Sequence, residues 1–240
     1  MRKVLLVLLI FAAVVLVAAD RIGVRVAQDK IGEQVAAQYD LQQQPDVTIH
    51  GIPFLTQAAG GEYEHIEVAI GDWTEQGVTV TGVKVDMRGV QAPLSEVSKG
   101  SAANVTARTA TASAIVPYDV IKKEAPKEVK SIKPKGDDLA VEMTGTILGF
   151  NVAGTAVVEL KPTAKGIAVT PVSVGSNGAA QIPLALVKRQ LTWIVPVADL
   201  PVGSRISQIQ PTPDGLRVAA TAQNVHLNDL QQAGNTRNPG

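Results

Sequence analysis

Cysteine is absent from this chain, aromatic residues make up only 3% of it, and lysine plus arginine equal aspartate plus glutamate at 22 each. A disulfide framework, a lipid-modified N-terminal cysteine, thiolate catalysis and a cysteine-built zinc site are therefore excluded. So few rings and no net charge argue against a base-stacking platform or a phosphate-binding surface, and no nucleic-acid partner is expected. Histidine is scarce too: His50, His65 and His226 are the full set. No Gly-x-Ser-x-Gly elbow accompanies them, no short His-x-x-x-His pair offers metal ligands, and no glycine-rich loop joins a strand to a helix for nucleotide binding. The chain is read as a non-enzyme with no catalytic residues, no metal and no cofactor.

The N-terminus carries the strongest local signal. Arg2 and Lys3 precede an unbroken apolar run from Val4 to Ala19, the basic and hydrophobic regions of an export signal. Small residues at Val17-Ala18-Ala19 suit cleavage before Asp20. Retention as an anchor is the alternative, because the run approaches the lower limit for a spanning helix. Residues 1–19 are thus a signal peptide or membrane anchor, and either outcome places the remainder outside the cytoplasmic membrane, in the periplasmic space or cell envelope.

From Asp20 to Tyr39, Ile22, Val26, Ile31, Val35 and Tyr39 recur at helical spacing, which predicts an amphipathic helix capped by Asp20. The segment Val-Thr-Ile-His-Gly-Ile-Pro-Phe-Leu-Thr-Gln (47–57) then reads as a strand that ends in a kink at Gly51 and Pro53 carrying Phe54 and Leu55. Further strands follow over 63–70, 77–88, 103–114, 139–147, 152–160, from Gly166, 206–210 and 216–227. Their apolar phase slips at Gly82 and Gly149, the mark of bulges that curve a sheet. Short helices are predicted from Pro117 and from Pro183 to Trp193, the lysine-rich stretch 122–135 reads as a solvated face, and 231–240 reads as a disordered tail. Length and even composition favour one α+β, β-rich domain over 20–230.

Valine-rich strands, glycine slips and an amphipathic helix suit a curved sheet that lines an apolar cleft; a plain sandwich with a filled core is the competing reading. The motifs then add to this. Gly51, Pro53, Phe54, Leu55 and Gln57, followed by Gly61 and Tyr63, with Leu200-Pro201-Val202-Gly203 and Asp214-Gly215-Leu216-Arg217-Val218 near the end, resemble the LmeA-like family of actinobacterial cell-envelope phospholipid-binding proteins. The resemblance implies a long curved antiparallel sheet wrapped against amphipathic helices, similar to tubular lipid-binding (BPI-like) domains. It also implies phospholipid as partner and a link to lipomannan elongation in the periplasm.

The apolar pattern, not the resemblance, nominates the lipid-contacting residues. They are Ile49, Phe54, Leu55, Val80, Val83, Val85, Met87, Ile147 and Phe150, with Trp193 at the rim. The outer face of the cytoplasmic membrane is the expected second partner. A non-catalytic scaffold of an envelope mannosyltransferase complex is the alternative function, favoured if the small residues Ala103, Ala107, Ala110, Ala112 and Ala114 pack against bulky partners with no continuous apolar groove. A hydrolase or transferase would need His50 or His226 beside a carboxylate and a serine.

Overall fold

The computed structural model describes residues 2–75, 77–93, 96, 104–147, 150–176, 185, 188, 191–197 and 203–229, with the side chains of 75, 146, 147, 150–152 and 176 outside that description. The expected slip at Gly149, the tail 231–240 and most of the helix expected over 183–193 lie outside it; Ala185, Lys188 and Leu191 are helical. The class is α+β and β-rich, about 53% strand against 30% helix, with a curled antiparallel sheet and an N-terminal helix.

Helices are α1 (Arg2–Gln38), α2 (Phe54–Gly60) and α3 (Tyr118–Lys123). Strands β1 (Asp46–His50), β2 (Glu62–Glu75), β3 (Val78–Gln91), β4 (Thr106–Val116), β10 (Arg205–Pro211) and β11 (Leu216–His226) form a six-stranded sheet in the order β1-β2-β3-β4-β11-β10. Strands β5 (Val129–Lys135), β6 (Asp138–Ile147), β7 (Phe150–Thr163), β8 (Gly166–Ser176) and β9 (Trp193–Pro196) form a five-stranded sheet in sequential order. By internal contacts the chain divides into two compact units, Met1–Gly71 with Lys84–Thr111 and Ala222–Gly240, and Asp72–Val83 with Ala112–Thr221.

In the first unit α1 corrects an expectation. It runs unbroken from the apolar N-terminal run into the amphipathic stretch, because neither Gly nor Pro interrupts 17–22 and Ala18 and Ala19 favour helix. Asp20 therefore sits mid-helix and does not cap it. The packed face differs too. Asp20 and Val24 are buried and Ala27, Ile31 and Val35 pack on the core, whereas Ile22 and Val26 are 64% and 56% exposed. The small residues Gly23, Ala27 and Gly32 decide this choice by letting other backbone come close. An added Cβ at Gly32 would meet Gln44 Nε2 at 2.8 Å and the Pro45 carbonyl at 2.9 Å.

Alternation then sorts β1 to β3 into two faces. Val47, Ile49, Ile66, Val68, Val85 and Met87 join the core with α1, while Thr48, His50, His65, Glu67, Lys84, Asp86 and Arg88 occupy the alternate positions. The slip read at Gly82 is present as a left-handed backbone, φ +59°, in the middle of β3. A second lies at Gly89, φ +60°, after which Val90 is the inward residue.

The second unit is built on the five-stranded meander. Leu139, Val141 and Met143 of β6 stand opposite Val158, Ala156 and Gly154 of β7. Those first five side chains, with Ile121, Ile167, Val169, Leu191 and Leu216, are 0–2% exposed. Strand β5 departs from the sequence expectation. Its lysines suggest a solvated stretch, and a register shift between Val129 and Ser131 breaks the alternation that would reveal Val129 and Ile132 as inward.

Candidate functional site

The candidate site is the apolar region of the first unit, organised by the segment Gly51–Gln57. Strand β1 ends at His50, Gly51 takes φ +99°, the Ile52–Pro53 bond is cis, and α2 begins at Phe54. Only glycine suits Gly51, since a Cβ would also meet Gln57 Nε2 at 2.6 Å. Gln57 acts as a brace across the turn: its Nε2 donates to the His50 carbonyl at 3.1 Å and its Oε1 accepts from the Glu64 N–H at 3.0 Å. Asp20 holds the other side, its carboxylate pairing with Arg21 and accepting the Leu55 N–H at 2.8 Å. That contact satisfies a free N–H in the first turn of α2.

Phe54 is 6% exposed and packs beside Tyr63, ring centroids 6.3 Å apart. Its ring also reaches α1, where an added Cβ at Gly23 would lie 3.5 Å from Phe54 Cε1 and 3.4 Å from Leu55 Cδ2. Burial raises the Tyr63 hydroxyl above the ordinary tyrosine value. Gly61 closes α2 with φ +66° and its carbonyl accepts the Ala92 N–H at 2.8 Å. Gly51, Pro53, Phe54, Leu55, Gln57, Gly61 and Tyr63 thus form one knot that fixes α2 between α1 and β2.

The nominated lining residues separate accordingly. Ile49, Phe54, Val85 and Met87 meet in one cluster with Val24, Ile31 and Val35 of α1; Ile49 and Phe54 are buried and Val85 and Met87 half-buried. Leu55 is 41% exposed beside α1. Val80 is half-buried and Val83 buried, both within the second unit. Ile147 and Phe150 stand opposite each other at the ends of β6 and β7, their side chains outside the described set.

Trp193, expected at a rim, is a core residue of the second unit at 8% exposure, because β9 alternates and turns Trp193 and Val195 inward. Its indole N–H has no partner among the described residues. An open recess of about 400 Å³ in that unit is lined by Pro162, Thr163, Ala164, Ser204, Arg205 and Ile206, none of them nominated. Of the small residues in and before β4, Ala103 lies outside the described residues, Ala107 is 1% exposed in the first unit's core, Ala110 and Ala114 are half-buried and Ala112 is exposed.

Sequence reading gives the histidines no shared site, yet β1–β2 pairing sets His50 directly opposite His65. Their rings stack at 4.2 Å, and their nitrogens lie within 4.8 Å of each other and of a Glu67 carboxylate oxygen. The planes are only 10° apart, so the in-plane lone pairs run side by side instead of converging on one point. Lys84 holds Glu67 at 2.7 Å and Asp86 holds His65 Nε2 at 2.7 Å. As arranged, this is a paired polar face.

Compared with known proteins, the chain matches the LmeA-like phospholipid-binding family over residues 18–235. It belongs to that family. No curated protein and no solved structure matches it. For this LmeA-like chain the match covers both units, and the turn at Gly51–Gln57 sits where the apolar span of α1 meets the folded domain. The remaining residue that sequence reading passes over is Ile52, 81% exposed at the tip of that turn. Its signal is available as a bulky apolar residue between Gly51 and Pro53, two residues that leave no neighbour to cover it.

Proposed function

We propose that this protein is exported, stays tethered by α1, and binds phospholipid acyl chains on the apolar surface of its first unit without performing a chemical step. The observation that carries this is half-buried apolar surface on and beside the helix that carries the membrane-length apolar run. Val85, Met87, Ile31 and Val35 pack on the cluster yet stay half-buried, in a family defined by phospholipid binding. Each methylene covered by such a surface contributes about 0.8 kcal/mol, without directional demand on the headgroup. Helix α1 supports the tether: residues 2–38 include a stretch long and apolar enough to cross a membrane, only 6% of it buried.

Service in lipomannan or lipoglycan elongation is the setting we assign to this binding. A scaffold reading, in which an envelope mannosyltransferase is held through the outer surface, draws on the filled core of the second unit. Mass spectrometry of residues 20–240 purified without detergent, under native conditions and after organic extraction, separates the two. Phospholipid near one per protein is expected. Bare protein that also refuses added phospholipid favours the scaffold.

A further inference from the structure

We infer that the turn Gly51–Leu55 is a membrane-docking element, with Ile52 and Leu55 entering the interfacial layer of the bilayer that α1 spans. The inference rests on the tether reading above and adds the surface on which the folded domain meets lipid. Among the described residues Ile52, at 81%, is more exposed than any large apolar side chain of the α1 span, where values run from 49% to 67%. The tip is also held: Gln57 braces the turn, Asp20 fixes the Leu55 N–H at 2.8 Å, and Gly51 carries the required left-handed backbone. A well-held apolar tip keeps its unfavourable contact with water until something covers it.

Its height along α1 identifies the cover. Asp20 directly follows the apolar run, and Phe54 and Leu55 lie against Gly23. The turn thus stands beside residues 20–23, within about 6 Å of the end of the run at helical rise. From Val4 to Ala19 the run measures about 24 Å, against a hydrocarbon core of about 30 Å. The shortfall of about 6 Å is met by local thinning, which draws the interfacial layer in toward the end of the run, where the turn stands.

At that level Ile22 (64%), Leu55 (41%) and Ile52 (81%) present apolar surface beside the helix. Asp20, the carboxylate at the same level, is already satisfied by Arg21 and the Leu55 N–H. Short span and apolar collar complete each other on a lipid surface. The arrangement also brings Phe54, against Gly23, beside the leaflet from which phospholipid would be drawn, with Ile31 and Val35 about 12 and 18 Å further along α1.

Because the chain has no cysteine, single cysteines report single places. The full chain carrying Ile52→Cys, Leu8→Cys or Lys135→Cys is labelled with an environment-sensitive fluorophore and reconstituted in phosphatidylethanolamine–phosphatidylglycerol vesicles. Each sample is challenged with lipid nitroxides near the headgroup or at the bilayer centre, and with aqueous iodide. The label at 52 is expected to lose about half its emission to the headgroup-level nitroxide, the depth of an interfacial element. The label at 8 should respond to the central nitroxide, and that at 135 to iodide alone. Leu8 quenched deeply while Ile52 answers only to iodide overturns the docking and leaves the tether standing. Both answering only to iodide overturns the tether reading, and the docking with it. A label at 52 shielded from iodide and lipid nitroxides alike means a protein neighbour, such as a second copy, and overturns the proposal.

Discussion

The two units use the same apolar residue types and bury the centres of their cores to different depths. In the second unit Leu139, Val169 and Leu216 are completely buried, and Met143, Ile167 and Val158 nearly so, because the long β6–β7 and β7–β8 ladders bring large side chains together on one face and Leu216 of β11 packs into the same cluster. In the first, α1 approaches on a face of glycine and alanine, and the core side chains other than Val90 and Ala107 keep 4–9% exposure; Val85, Met87, Ile31 and Val35 lie half-buried at its margin, as Leu160, Val174, Ile206 and Ile209 do in the second. A small-residue face gains closeness of backbone and gives up side-chain volume. Surface that water still touches in the folded state is the surface a lipid tail can take over.

The sharpest test sets one core against the other. Leu139→Ala should destabilise by about 3–4 kcal/mol, the cost of a cavity in a filled core, whereas Met87→Ala should lose only about 1 kcal/mol. Chemical denaturation of each variant reads both; equal losses would erase the contrast. A backbone comparison comes next. Gly51→Ala should cost about 2 kcal/mol, since φ +99° and the Gln57 side chain both oppose a Cβ, while Gly136→Ala, with φ +64° and open space around it, should cost about 1.

For lipid, Met87→Asp should lower phospholipid affinity about tenfold, near 1.4 kcal/mol, in a protein whose far-UV dichroism is unchanged. Phe54→Asp should instead unfold the first unit by burying a charge at a 6% exposed position. Retained affinity in a folded Met87→Asp protein would move lipid binding away from this cluster.

The smallest effect belongs to the polar side of β6. Ser131 and then Lys133 hold the Glu142 carboxyl below the ordinary glutamate value. The folded state therefore favours the ionised form, and this stabilisation is complete above the unfolded value of about 4.5 and fades as pH falls through the folded one. Glu142→Gln should lower the neutral unfolding midpoint slightly, leave the value well below about pH 4.5 nearly unchanged, and so flatten the loss on acidification. An unaltered acid profile would show that the Ser131 and Lys133 contacts carry no linkage.

Much of this architecture is legible in the chain. Alternation marks β1, β2 and β6 because each has one buried face, and in β3 Gly82 announces its kink through the change of phase. What stays hidden involves choices among equals. Ile22 and Val26 fit a helical stripe as well as Val24 and Ala27 do, and only the approach of Phe54 and Pro45 to Gly23 and Gly32 decides which face packs. Helix α2 reads as a kink because its seven residues begin at Pro53-Phe54 with no side-chain cap. The cap it lacks locally is supplied by Asp20, 35 positions away, and no local rule reaches that far.

On the tether reading proposed above, the unbroken course of α1 joins a bilayer segment and the first unit in a single rigid shaft. Tilting or turning the span swings that unit with it, with no swivel between them. Each residue added at the junction after Ala19 would rotate the unit by about 100° and raise it by about 1.5 Å. The length of this helix is thus a gauge that sets both the bearing and the depth at which the apolar turn is presented.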